Sequence, residues 1–151
     1  MMWPFSKTNG FFSRQHKDRI VQAIQQAEAE TSGEIRVHVE STTRGKEPVE
    51  RAKEVFEALG MNRTELRNGV LIYLAFADRK FAIIGDAGID RAVPPNFWEE
   101  TKEAMRGYFT QGRFLEGVLY GVGSAGEHLK SHFPVMPGDR NELVDTVSEG
   151  N

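Results

Sequence analysis

Four carboxylates, Asp86, Asp90, Asp78 and Glu34, are the side chains whose type and spacing could hold a ligand. Asp86 and Asp90 stand in Gly85-Asp86-Ala87-Gly88-Ile89-Asp90, a glycine-rich segment that directly follows an apolar run. Hard cations such as Ca²⁺ take several oxygen ligands, carboxylates and loop carbonyls among them, and a glycine-rich loop offers both. The competing reading is that Asp86 and Asp90 bond their own loop backbone, as turn aspartates do. The segment is not an EF-hand, because the D-x-[DN]-x-[DN]-G spacing is missing.

The elements that must position these acids are legible. Val70 to Ala77 is continuously apolar and predicts a central strand covered on both faces. Asp78-Arg79-Lys80 is a turn, and Phe81 to Gly85 a second strand. Glu34 to Ser41 alternates, with Ile35, Val37 and Val39 on one face and Glu34, Arg36, His38 and Glu40 on the other. That predicts a half-buried strand near a sheet edge. If it runs parallel to the central strand, Glu34 lies at the same sheet end as Asp86, while Asp78 lies at the other end and caps the hairpin turn.

Helices account for the rest. Ser13 is an N-cap with Phe12 as staple, followed by Ile20, Val21, Ile24 and Ala27 at helical spacing, with Gly33 ending the run. Pro48 suits the first turn of a second helix, which Gly60 stops. Asn96 with Glu99 resembles a capping box for a third, up to Gly112, and a fourth runs from Phe114 to His132. The order α-β-α-β-β-α-α predicts an α/β fold: a three-layer α/β/α sandwich with a small mixed sheet, a βαβ unit plus a β-hairpin, and helices on both faces. The expected organisation is an arm over 1–12, one domain over 13–133 and a flexible acidic tail over 134–151.

Composition excludes several classes. There is no cysteine, hence no disulfide, thiolate metal site or cysteine nucleophile. The net charge is −3, matched by the tail, where Asp139, Glu142, Asp145 and Glu149 face Arg140 alone. No basic stripe marks a nucleic-acid surface. Val70 to Ala77 is far short of the ~20 residues that span a bilayer, and the first residues lack a signal-peptide pattern, so no membrane span and a cytoplasmic location are expected. Serine-elbow, P-loop and dinucleotide patterns are missing. His128 and His132, four apart on a helix, could bind a transition metal together, with no third ligand in evidence. Gly117, Gly121 and Gly126 each cost a helix roughly 1 kcal/mol against alanine, which points to close helix packing inside the domain or to a partner interface. A monomer or a weak homodimer, through the edge strand or the glycine face, is expected.

The blocks Arg67-Asn68-Gly69-Val70-Leu71-Ile72, Asp78-Arg79-Lys80, Gly85-Asp86-Ala87-Gly88-Ile89, Phe97-Trp98 and Gly112-Arg113-Phe114 with Glu116-Gly117 resemble a TPM domain, a family that includes a thylakoid lumen phosphatase-like protein and a photosystem II repair protein. The resemblance, from about Ile20 to Pro134, implies an α/β/α sandwich. It also implies that Ca²⁺ or another divalent cation binds through loop carboxylates, carried here by Asp78, Asp86 and Asp90; Glu34 rests on geometry alone. Some relatives are described as acid phosphatases, and others act in membrane-protein repair or complex maintenance. The sequence shows neither an export-signal pattern nor an apolar helix after Pro134, so a departure from many members is expected. Two functions follow as expectations. The first is a non-enzymatic, cation-binding module that holds protein partners or clients in a quality-control, holdase-like role. The alternative is a metal-dependent acid phosphatase, with Asp86 and Asp90 as ligands and Arg67 or Arg79 on the phosphate. That alternative lacks a cysteine nucleophile, a D-x-D motif and a histidine beside an arginine, so no catalytic residue is assigned.

Overall fold

The computed structural model describes residues 11–135 and 147–150. Helix α1 (Arg14–Glu28) begins where the Ser13 hydroxyl accepts the His16 N–H at 3.0 Å, with Phe12 buried behind it. Strand β1 (Glu34–Glu40) follows, then α2 (Pro48–Ala58), a 3₁₀ turn at Met61–Arg63, β2 (Gly69–Ala75) and β3 (Lys80–Gly85). The remaining elements are α3 (Ala87–Ala92), α4 (Glu99–Thr110), α5 (Phe114–His132) and β4 (Val147–Glu149). Pro48 opens α2, and Gly60 follows it at φ 71°, a left-handed conformation that glycine adopts without strain.

The sheet order is β3-β2-β1-β4. β1 runs parallel to β2, from Glu34 opposite Gly69 to Glu40 opposite Ala75, and parallel to β4. β3 returns antiparallel, with Gly85 opposite Val70. One face of the sheet carries Ile35, Val37, Val39, Val70, Ile72, Leu74 and Ile83 into a core shared with α1, α4 and α5. The other carries Leu71, Tyr73, Ala75 and Ala82 against Ala52, Val55 and Phe56 of α2. β2 reads as an unbroken apolar run because helices cover both its faces. The three-layer α/β/α architecture is therefore present.

The helical glycines serve internal packing. A Cβ on Gly126 would sit 2.6 Å from Ala27 Cβ of α1, and one on Gly117 would collide with the Phe109 ring of α4. α5 can approach both neighbours only because these positions lack side chains.

Four expectations change. β1 is an interior strand, not an edge strand, and its polar face is covered: Glu34, His38 and Glu40 are buried. The strict alternation that normally marks a solvent face here marks a buried polar layer. Residues 87–92 form a helix instead of a loop. α4 starts at Glu99 with Trp98 at its cap and no side-chain hydrogen bond there, so the Asn96–Glu99 capping box is not formed. Within the segment read as a flexible tail, Val147–Glu149 is the fourth strand; the rest of that reading, over 136–146, and the arm over 1–10 lie outside the described residues.

Candidate functional site

β3 ends at Gly85, and Asp86 turns the chain into α3. The Ala87 N–H donates to Asp86 Oδ1 at 2.7 Å, and the N–H groups of Ile89 and Asp90 donate to the Asp86 carbonyl at 2.9 and 3.1 Å. Gly88 lets this turn press against the preceding loop. Its N–H donates to the Arg67 carbonyl at 2.8 Å, and a Cβ there would lie 2.6 Å from that same oxygen. The contact places Arg67, itself at φ 52°, over Asp86. Arg67 Nε donates to Asp86 Oδ2 at 2.8 Å and Nη2 to Oδ1 at 2.9 Å, a two-pronged pair. Hydrogen bonding to Asp86, and then its negative charge, raise the Arg67 pKa.

The pair borders an open cleft of about 420 Å³ beside α2. Phe56 and Ile84 give it an apolar floor; Lys53, Glu57, Asp86 and Asp90 give it charged walls. Asp86 and Asp90 thus meet at one cleft. Glu34 belongs to the same sheet end, because its partner Gly69 also accepts the Asp86 N–H at 2.9 Å. Asp78 lies at the opposite end. It accepts the N–H and hydroxyl of Thr43 at 2.8 and 3.2 Å, so it secures the loop after β1 instead of its own hairpin turn. His128 and His132 pack their rings against Phe97, with centroids 4.5 and 5.4 Å away.

These residues do not form a cation cage as they stand. Both carboxylate oxygens of Asp86 are on Arg67, its carbonyl is used by α3, and Asp78 is remote. Among the described residues, no three His, Asp or Glu side chains are grouped so as to hold a metal ion.

Among the described residues, a further polar constellation is one that the sequence did not single out. Glu40, fully buried at the end of β1, accepts from Arg51 Nε at 2.7 Å and Nη2 at 2.9 Å, and from the Tyr73 hydroxyl. His38 lies with Nε2 3.4 Å from Glu40 Oε1 and Nδ1 2.9 Å from Ser148 Oγ of β4. Burial pushes the Glu40 pKa up, but hydrogen bonds from Arg51, His38 and Tyr73 outweigh it and bring the group down to about 2. Burial and the Glu40 carboxylate push Tyr73 up. The available signal was Tyr73, the one polar side chain in the apolar run of β2, in register with His38.

Among the described residues, no helix is long and apolar enough to cross a membrane. Nothing among curated proteins matches the chain. Among solved structures, the NMR structure of the BA42 protein from the psychrophilic bacterium Bizionia argentinensis is similar, at 44% identity over 93% of this chain and 96% of that one, with a TM-score of 0.86. The N-terminal domain of the cg2496 protein from Corynebacterium glutamicum (20% identity, 80% of this chain, 75% of that one, TM-score 0.64) shares the fold. So does the N-terminal domain of a P. gingivalis protein (15% identity, 82% and 80%, TM-score 0.67). Residues 6–128 match the family model of the TPM domain, and with that match the chain belongs to the TPM domain family.

Proposed function

We propose that this TPM domain is a non-catalytic binding module that holds protein partners or clients. The observation that carries this reading is the state of Asp86. Its carboxylate is locked to Arg67 as a structural clamp with both oxygens engaged, in a cleft whose lining contains no serine, threonine or histidine. Nucleophilic or general-base use of Asp86 would need one of those oxygens free and within reach of a substrate. A cleft with an apolar floor and charged walls suits recognition instead. The test is suppression of the heat-induced aggregation of an unrelated client protein, alongside hydrolysis of p-nitrophenyl phosphate. Suppression at near-stoichiometric ratios, without hydrolysis, is the expected result. Hydrolysis that survives repurification and vanishes in Asp86→Ala overturns the reading in favour of the phosphatase alternative.

A second reading takes the same cleft as a divalent-cation site, calcium first, with Asp86 and Asp90 as ligands. It is favoured by two carboxylates one helical turn apart on one cleft. It requires Arg67 to leave Asp86. Calorimetric titration with Ca²⁺, Mg²⁺ and Zn²⁺ should then show tighter binding in Arg67→Ala than in the wild type, lost in Asp86→Ala/Asp90→Ala. Absence of binding in both wild type and Arg67→Ala removes the cation from the function.

A further inference from the structure

A second cleft, about 300 Å³, opens on the other side of the sheet between the start of β3 and helices α4 and α5. Its floor is aromatic. The Phe81 and Phe109 rings meet edge-on with centroids 5.0 Å apart, and Phe109 stacks near Phe114 at 5.7 Å. Its mouth is cationic: Arg79, Lys80 and Arg106 line it, and no acid does. Arg79 and Lys80 are exposed. Arg106 lies 5.4 Å from the centre of the Phe81 ring and bonds Glu103, a turn earlier on α4, at 2.5 Å.

Beside this cleft runs a strand edge. Among the described residues β3 pairs only with β2. The Asp86 N–H bonds Gly69, so Gly69 and Asp86 form a hydrogen-bonded pair, and the antiparallel alternation turns the N–H and C=O groups of Phe81, Ile83 and Gly85 away from β2. An unpaired edge is a template for one more strand, and pockets beside it select that strand's side chains.

We propose that β3 takes an extended acidic peptide along its outer edge, with a large apolar side chain of the peptide in the Phe81–Phe109–Phe114 cleft and its carboxylates on Arg79, Lys80 and Arg106. The inference deepens the binding-module reading above and rests on it for the kind of partner. The charge argument is direct: Arg79 and Lys80 are exposed at a mouth that no acid lines, and with Arg106, whose charge Glu103 answers in part, they favour a segment rich in Asp or Glu. Aromatic floor and cations alone would also suit a nucleobase; the unpaired strand edge is what favours a peptide.

The probe is the end-blocked peptide EVWVE, titrated into the full ¹⁵N-labelled chain. Shifts should concentrate on the amides of Phe81, Ile83 and Gly85 and on the Phe109 and Phe114 neighbourhood. The control peptides KVWVK and EVSVE should bind at least about tenfold more weakly, as should Arg79→Glu/Arg106→Glu towards EVWVE, each tenfold step corresponding to ~1.4 kcal/mol. Lys80→Glu, at an exposed position, gives a second variant should the double one fail to fold. Equal affinity for KVWVK, shifts away from β3, or preferential binding of a thymidine hexanucleotide overturns the proposal. Client proteins held equally well by wild type and Arg79→Glu/Arg106→Glu would defeat this site while leaving the module reading standing. EVWVE bound at β3 with no client held would defeat the holdase reading and leave the site.

Discussion

Arg51 of α2 grips Glu40 of β1 through two parallel hydrogen bonds, at 2.7 and 2.9 Å, across the boundary between the helix layer and the sheet. Glu40 is fully buried, and the Arg51 side chain is 14% exposed. The pair is the centre of a polar layer inside an otherwise apolar sandwich, and its removal is felt asymmetrically.

Truncating Arg51 leaves a buried carboxylate without its counter-charge, a loss of roughly 3–5 kcal/mol. Arg51→Ala is expected to lower the urea midpoint far more than Arg51→Ala/Glu40→Leu, in which both charges are gone. Equal midpoints for the two variants would show that the pair is not held in the way described.

The same carboxylate makes stability pH-dependent. Its pKa is near 2 in the folded chain and 4.5 ordinarily. The stabilisation it contributes is therefore complete above about pH 4.5 and is lost as pH falls towards 2. Urea unfolding of wild type between pH 5 and 2 should show this loss, and Glu40→Gln should show a shallower decline over the same interval. Parallel curves would remove Glu40 as the cause.

Gly88 and Gly123 offer a paired test of close approach. A Cβ at position 88 would collide with the Leu66 and Arg67 carbonyls, which are backbone and cannot swing aside, whereas position 123 opens on free space. Gly88→Ala should destabilise, by roughly the 1–3 kcal/mol of overpacking, and loosen the Arg67–Asp86 clamp. Gly123→Ala should be neutral or stabilise by up to about 1 kcal/mol. Thermal melts of the two variants decide.

Asp86→Ala removes the cap of α3, a loss of about 1 kcal/mol, while Asp90→Ala at an exposed position should cost little. Hydrogen exchange at Ile89 and Asp90, whose amides bond the Asp86 carbonyl, is expected to quicken in the first variant and not in the second.

Much of this architecture was legible. The apolar run of β2, the Ser13 cap, Pro48 at a helix start and the bounds of α5 all follow from local rules, and the structure agrees with them. The misreadings have one physical source: long-range partners that no local rule contains. His38 and Glu40 looked like part of a solvent face because nothing nearby in the chain announces that Arg51 of α2 and Tyr73 of β2 will bond Glu40, or that Ser148 of β4 will meet His38. Asp86 looked like a free carboxylate because its guanidinium partner comes from a loop nineteen residues earlier. Val147–Glu149 has too few residues to signal a strand, and its pairing with β1 defines it. The cleft at Phe81, Phe109 and Phe114 is likewise assembled from a strand and two helices.

The pairing of β4 with β1 also sets a timetable. His38 and Ser148 are 110 positions apart. At a ribosomal pace of 5–20 residues per second, Ser148 is added roughly 5–20 s after His38. During that interval β1 acquires β2 but keeps an open flank, with the His38 imidazole still lacking its Ser148 partner. The nascent chain is thus open to wrong strand pairing at β1 until β4 arrives, and that window closes when Gly150 bonds the Val39 carbonyl.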